Sequence, residues 1–260
     1  VITVARATVV VIETDAGISG CGEFTPCGEN YMVANSEAAT AVANLLAPAL
    51  IGEDPRQVYR IERLMDHVLQ GHGYAKAPFD AACWDILGKA TDQPVWMLLG
   101  GKLTDSAPMY RVAPQKPTED TVAERVLQTI MLDESMHRFQ DHREAWRRGA
   151  CEGMKVKPNW LGGLTRARQV RDFGVSVGWQ MHIEDVGGTA LADTAAIHLA
   201  ASTPDANRLA SWLCHYHLAL DPVPGQGARN SGGVAVPPSA PGLGVAPDET
   251  AIGAPVATYE

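Results

Sequence analysis

The chain has 260 residues, 46% of them hydrophobic and 20% charged, with a formal net charge of −9. That profile suits a water-soluble globular protein of one large or two smaller domains. It argues against nucleic acid as a partner, because phosphate binding needs a basic face. No apolar run nears the roughly 20 residues of a membrane span, and no signal-peptide pattern opens the chain. No membrane partner is therefore expected. Cys21, Cys27, Cys83, Cys151 and Cys214 are scattered, without CxxC or CxxH spacing. That speaks against a disulfide framework or zinc site and for a reducing cytoplasm.

In chain order, residues 1–14 read as a strand, so the native start is expected upstream. A turn at Asp15-Ala16-Gly17 and a short strand over 18–23 close a hairpin. Helical patterning covers 36–50. Asp54-Pro55 then starts a second helix with apolar Val58, Ile61, Leu64 and Met65. Residues 77–99, rich in Ala, Leu and Trp and ending at Gly100-Gly101, predict a buried helix with a glycine stop. Together, residues 1–107 read as an α+β domain.

From Met109 the pattern turns to strand-then-helix units. Apolar runs over 126–132, 153–157, 180–183 and 208–213 precede helical stretches, and polar or aromatic residues end them at 133, 157, 184 and 212. A repeat in the twenties with one strand and one helix is a βα unit of a parallel sheet. Carboxylates, lysines and aromatics at the strand ends favour a barrel over a doubly wound sheet, since barrel enzymes build their sites there. Residues 108–220 hold about four such units. The Pro- and Gly-rich segment 221–260 is expected to pack back over the first domain.

Each candidate residue has two readings at this level. Lys157 alternates with Lys155, so both project from one face of their strand. Buried, Lys157 can serve as a proton-transfer base; at a strand end it can equally face solvent. Asp133 and Glu134 offer oxygen ligands to a divalent ion or cap the following helix. Glu184 and Asp185 suit a cationic substrate group or, again, a helix start. Trp212 offers an aromatic face to a cation or is plain core. Tyr31, in a polar loop, can reach over a site or serve no chemistry. The Gly225-Gln-Gly227 stretch lacks the context of a dinucleotide loop, and the histidines show no metal or triad spacing.

Motifs in order resolve part of this. The stretch TDAGISGCGE at 14–23, AACWDILGK at 81–89 and PVWMLLGG at 94–101 resemble the capping domain of the mandelate racemase and muconate lactonizing group of the enolase superfamily. LDES at 132–135, Lys157 with Gly162-Gly163-Leu164, and 237–244 resemble its barrel strands and closing segment. MYRVAPQK at 109–116, IEDVGG at 183–188 and Trp212 resemble members acting on proline derivatives: hydroxyproline betaine 2-epimerases and 3-hydroxyproline dehydratases. The resemblance implies an enolase-like α/β fold, a capping domain plus a TIM-type barrel. It also implies removal of the proton α to a carboxylate, with Mg²⁺ at Asp133 and Glu134, Lys157 as base, and Tyr31, Lys155, Glu184, Asp185 and Trp212 on the substrate. A homo-oligomer with a small-molecule substrate is expected.

The chain departs from that pattern in one respect. A complete barrel takes eight strands and about 250 residues with its helices, whereas residues 108–260 contain about four units. The join falls at 121–130, where a helical lead-in runs into the strand expected fifth. Roughly 100 residues are missing on the same scale, and with them the first acid/base lysine and two metal carboxylates. Impaired epimerisation is expected; a non-catalytic betaine-binding protein and a dehydratase of hydroxyprolines are the alternatives.

Overall fold

The structure, a computed structural model, describes residues 6–26, 35–110 and 130–260. Tyr31, Cys27 and the join up to residue 129 lie outside the described residues.

The hairpin forms as expected: β1 (Thr8–Glu13) pairs antiparallel with β2 (Ser19–Phe24), from Thr8 opposite Phe24 to Glu13 opposite Ser19. Then come α1 (Ser36–Leu50), α2 (Val58–Val68) and α3 (Gly73–Ala90). Asn35 caps α1 by accepting the Ala38 N–H at 2.7 Å. On α2, Val58, Ile61 and Met65 form the buried stripe. By contrast, α3 is buried on nearly all sides, because it lies between β2 and the second domain. Two glycines permit that approach. A Cβ on Gly20 would sit 2.3 Å from the Ala82 carbonyl oxygen, and one on Gly22 would sit 2.0 Å from that of Pro78. The single helix read over 77–99 is broken after Ala90. Asp92 takes a positive φ of 53° and Pro94 has no N–H to offer, so a separate turn, α4 (Val95–Leu98), follows.

In the second domain come β3 (Ala107–Pro108), β4 (Met131–Leu132), α5 (Phe139–Arg147), β5 (Gly153–Val156) and α6 (Pro158–Leu161). They are followed by α7 (Leu164–Ser176), β6 (Gln180–Ile183), α8 (Ala190–Ala201) and β7 (Arg208–Ala210). β4, β5, β6 and β7 are neighbours in that order and all parallel. The arc continues one position further. Met109 forms a parallel bridge with Ser211, the Ser211 N–H donates to Pro108 O at 2.7 Å, and the Tyr110 N–H donates to Ser211 O at 3.1 Å. The end of the first barrel segment thus lies beside β7. Among the described residues β4 has a strand neighbour on one side only.

Alternation sorts the side chains of this sheet. Met154, Val156, Met181 and Ile183 are fully buried toward the helices, each worth about 1.5–3 kcal/mol of burial. The other face carries Lys155, with His182 opposite it in register. α8 is buried along its whole length and holds the molecule together. Its His198 accepts the Trp96 N–H on Nδ1 at 3.2 Å and meets Leu243 O through Nε2 at 3.1 Å.

The segment after β7 makes a short hairpin, β8 (Arg229–Ser231) and β9 (Val234–Val236), and β9 also pairs with β3. It then returns to the first domain. Asp85 of α3 accepts N–H groups of Leu243 at 2.8 Å and Cys21 at 3.1 Å, and the Lys89 ammonium at 2.8 Å. One carboxylate therefore joins hairpin, helix and closing segment. Cys21, Cys83, Cys151 and Cys214 are buried, and no described helix is long and apolar enough to cross a membrane.

Candidate active site

The polar face of the parallel sheet carries one cluster, assembled from the carboxyl ends of its strands. Lys155 leaves the middle of β5 and Lys157 follows two residues later, so the strand period brings both amines to the same side. Lys157 Nζ is 2.6 Å from Asp133 Oδ1, 3.7 Å from Glu134 Oε1 and 3.8 Å from Glu184 Oε1. Lys155 Nζ is 3.0 Å from Glu184 Oε1 and 3.4 Å from Asp133 Oδ2. Lys157 is only 6% exposed and Glu184 2%, so these pairs act through a low-dielectric surround rather than water. The solvent-facing alternative for Lys157 does not hold. Nor does Asp133 cap a helix: α5 begins at Phe139 after Arg138, and the Asp133 carboxylate is taken up by the lysines.

Tyr110 completes the cluster. Its hydroxyl donates to Glu184 Oε2 at 2.6 Å and accepts from Lys155 at 2.8 Å. Its ring meets that of His182 edge-on at 4.7 Å and lies 4.9 Å below the Lys155 ammonium. Burial would lower the Lys155 ammonium, but Glu184 and Tyr110 outweigh it and hold it above its usual range. Burial, helped by Lys155, pushes His182 down to about 4, so its imidazole is neutral near pH 7. Sequence reasoning missed both residues as site members. The available signals were that Tyr110 ends the first strand and that His182 stands two residues before Glu184 on the same face.

Among the described residues, the other expected site residues, Asp185 and Trp212, have partners of their own. Asp185 turns away from Glu184, as adjacent strand residues do. Its Oδ2 accepts the N–H groups of Gly188 at 2.8 Å and Gly187 at 3.3 Å, which shapes the glycine turn. Burial and nearby Glu23 raise its carboxyl to about 6. Thr189, not Asp185, caps α8, and Glu23 of β2 accepts from both its N–H, at 2.9 Å, and its hydroxyl. Trp212 is half-buried with its ring 5.5 Å from His217.

Magnesium demands near-octahedral oxygen coordination at 2.0–2.1 Å. Here both oxygens of Asp133 face ammonium groups, and Glu184 is shared between two lysines and a phenol. Among the described residues, no group of three or more His, Cys, Asp or Glu side chains is placed to hold a metal. As arranged, Asp133 and Glu134 do not fit a magnesium site.

Parallel strands with lysines and carboxylates at their carboxyl ends, covered by an α+β domain, define a barrel-type enzyme class. Comparison with known proteins makes this specific. Residues 1–100 match the mandelate racemase / muconate lactonizing enzyme N-terminal domain, and residues 112–251 match the enolase C-terminal domain-like family. The chain belongs to this group of the enolase superfamily. It is 31% identical to a cis-3-hydroxy-L-proline dehydratase of Roseibium aggregatum over 340 residues, covering 99% of this chain and 92% of the relative. Because 340 aligned positions exceed the 260 of this chain, at least 80 positions of that relative have no counterpart here. An N-succinyl-L-Arg/Lys racemase of Bacillus cereus is 36% identical over 186 residues, 66% of this chain and 50% of the relative. Two crystal structures of an enolase superfamily member from Roseovarius nubinhibens, one complexed with magnesium, superpose with a TM-score of 0.92 at 46% identity. Each match covers 98% of this chain and 92% of that one.

Proposed function

We propose that this chain removes the proton α to the carboxylate of a proline derivative, with Lys157 as the base. The observation that carries the reading is the position of Lys157: buried at a strand end, 2.6 Å from Asp133. The Lys157 amine acts in its neutral form, and Asp133 at 2.6 Å positions it. The amine takes the α-proton, and the electron pair moves into the substrate carboxylate. The Lys155 ammonium, held by Tyr110 and Glu184, supplies positive charge beside the enediolate. Preorganised charge of this kind is commonly the largest contribution to such catalysis.

The fate of that intermediate has two readings. Epimerisation of a hydroxyproline betaine, which the family resemblance suggests, needs a proton returned from the opposite face. Dehydration of a hydroxyproline needs only loss of the ring hydroxyl, which leaves as water after taking up a proton. The activity named for the Roseibium relative and the placement of Lys155 and Lys157 on one side of β5 support dehydration, and the racemase named for the Bacillus cereus relative supports epimerisation equally. Self-association belongs to the same proposal, since β4 has a strand neighbour on one side only among the described residues and an open edge favours a second strand; light scattering reads it directly.

The test is incubation in D₂O with hydroxyproline betaine and, separately, with cis-3-hydroxy-L-proline, followed by proton NMR. Deuterium at the α-carbon with inversion marks an epimerase. Loss of the ring hydroxyl marks a dehydratase. If neither compound exchanges its α-proton faster than in a Lys157→Ala control, the proposal fails.

A further inference from the structure

We infer that Lys155 is the resident cation of this cluster: its ammonium occupies the space between Asp133, Glu184 and Tyr110 and thereby excludes a divalent ion. The inference stands apart from the proposed reaction and would hold for a chain that turned nothing over.

The geometry is that of a coordinated cation. An ammonium has three N–H groups, and Lys155 Nζ has three oxygens around it. They are the Tyr110 hydroxyl at 2.8 Å, Glu184 Oε1 at 3.0 Å and Asp133 Oδ2 at 3.4 Å. These oxygens come from three separate segments, at the ends of the first barrel segment, β6 and β4. A single side chain thus ties three strand ends together electrostatically, a task a bound metal performs elsewhere.

Lys157 closes the remaining approach. Its ammonium faces the other oxygen of Asp133 at 2.6 Å and reaches Glu134 and Glu184 within 4 Å. A divalent ion bound to Asp133 and Glu184 would therefore lie against two positive charges. It could enter only by displacing an ammonium and breaking its ion pairs. Charge count agrees: two ammonium groups already offset most of the charge of Asp133, Glu134 and Glu184.

Lys155 also cannot leave easily. Its backbone is fixed in β5 with His182 in register on β6. The phenol it bonds is braced by the His182 ring at 4.7 Å. Yet the side chain remains 22% exposed, so an ion in solution can reach the cluster, and failure to bind would reflect charge rather than access.

The experiment is Mn²⁺ titration of the full chain followed by electron paramagnetic resonance, with Lys155→Met and Lys155→Met/Asp133→Asn as variants. The wild type should show no saturable binding at millimolar Mn²⁺. Lys155→Met should bind at least ten times more tightly, and the double variant should lose that gain. Saturable wild-type binding that Asp133→Asn abolishes would overturn the inference, as would a folded Lys155→Met with no gain. If circular dichroism shows Lys155→Met unfolded, Lys155→Gln takes its place and the wild-type titration still decides.

Discussion

The Tyr110 hydroxyl lies 2.6 Å from Glu184 Oε2, tying the end of the first barrel segment to the end of β6. No strand pairing runs directly between these two segments, because β7 lies between them. The phenol crosses over it inside the arc. Tyr110→Phe should leave a buried carboxylate oxygen without its donor and cost about 1–3 kcal/mol. In a chain of this size that is a fall in Tm of about 2–4 °C per kcal/mol. Thermal unfolding by circular dichroism measures it, and an unchanged Tm would mean that the bond contributes nothing.

Lys157→Ala should reduce α-proton exchange of an active substrate by at least about 10²-fold, the contribution expected of a positioned base. NMR exchange rates in D₂O provide the measurement. Retention of rate within threefold would move the base elsewhere.

Gly22 and Gly17 separate two uses of glycine. Gly22→Ala would place a methyl 2.0 Å from the Pro78 carbonyl oxygen, forcing β2 off α3. The cost should reach or exceed the 1–3 kcal/mol usual for overpacking. Gly17→Ala meets open space but a φ of +73°, so its cost should stay near 1–2 kcal/mol. Urea unfolding of both variants ranks them, and the reverse order would refute the close packing of strand on helix.

Three buried carboxyls should each lower stability as pH rises from about 4 to about 7, while His182 and His198, which burial pushes down to about 4, act in the opposite sense. Burial raises Asp80 to about 7, and raises Asp185 and Asp193 to about 6. Between their unfolded and folded pKa values these three carboxyls hold more protons in the folded chain than in the unfolded one. Their contribution to stability therefore falls as the pH rises through that window. Asp80 supplies much of the effect: its Oδ2 accepts the Thr165 N–H at 3.0 Å, while Oδ1 has no hydrogen-bond partner among the described residues. Asp80→Asn should flatten the upper part of the profile, read as Tm against pH.

The cluster was only partly legible in the sequence. Lys155 and Lys157 were readable as neighbours because a strand has period two, and Glu184 because it ends an apolar strand. Glu184 could not be told from Asp185 by pattern, since both follow Ile183. Backbone direction at the strand end decided it, sending one side chain to the lysines and the other into the Gly187-Gly188 turn.

Local chemistry in the chain determined the hairpin, the βα repeat and the family motifs, because periodicity, glycine turns and apolar runs act over a few residues. Only the tertiary structure decided what those residues meet. It set Tyr110 against Glu184 across β7, turned Asp133 from a metal ligand or helix cap into the partner of two lysines, and buried α3 and α8 on nearly every side. The reason is physical: a carboxylate takes its role from the nearest charge, and that charge lies on another strand, at a distance no local pattern records.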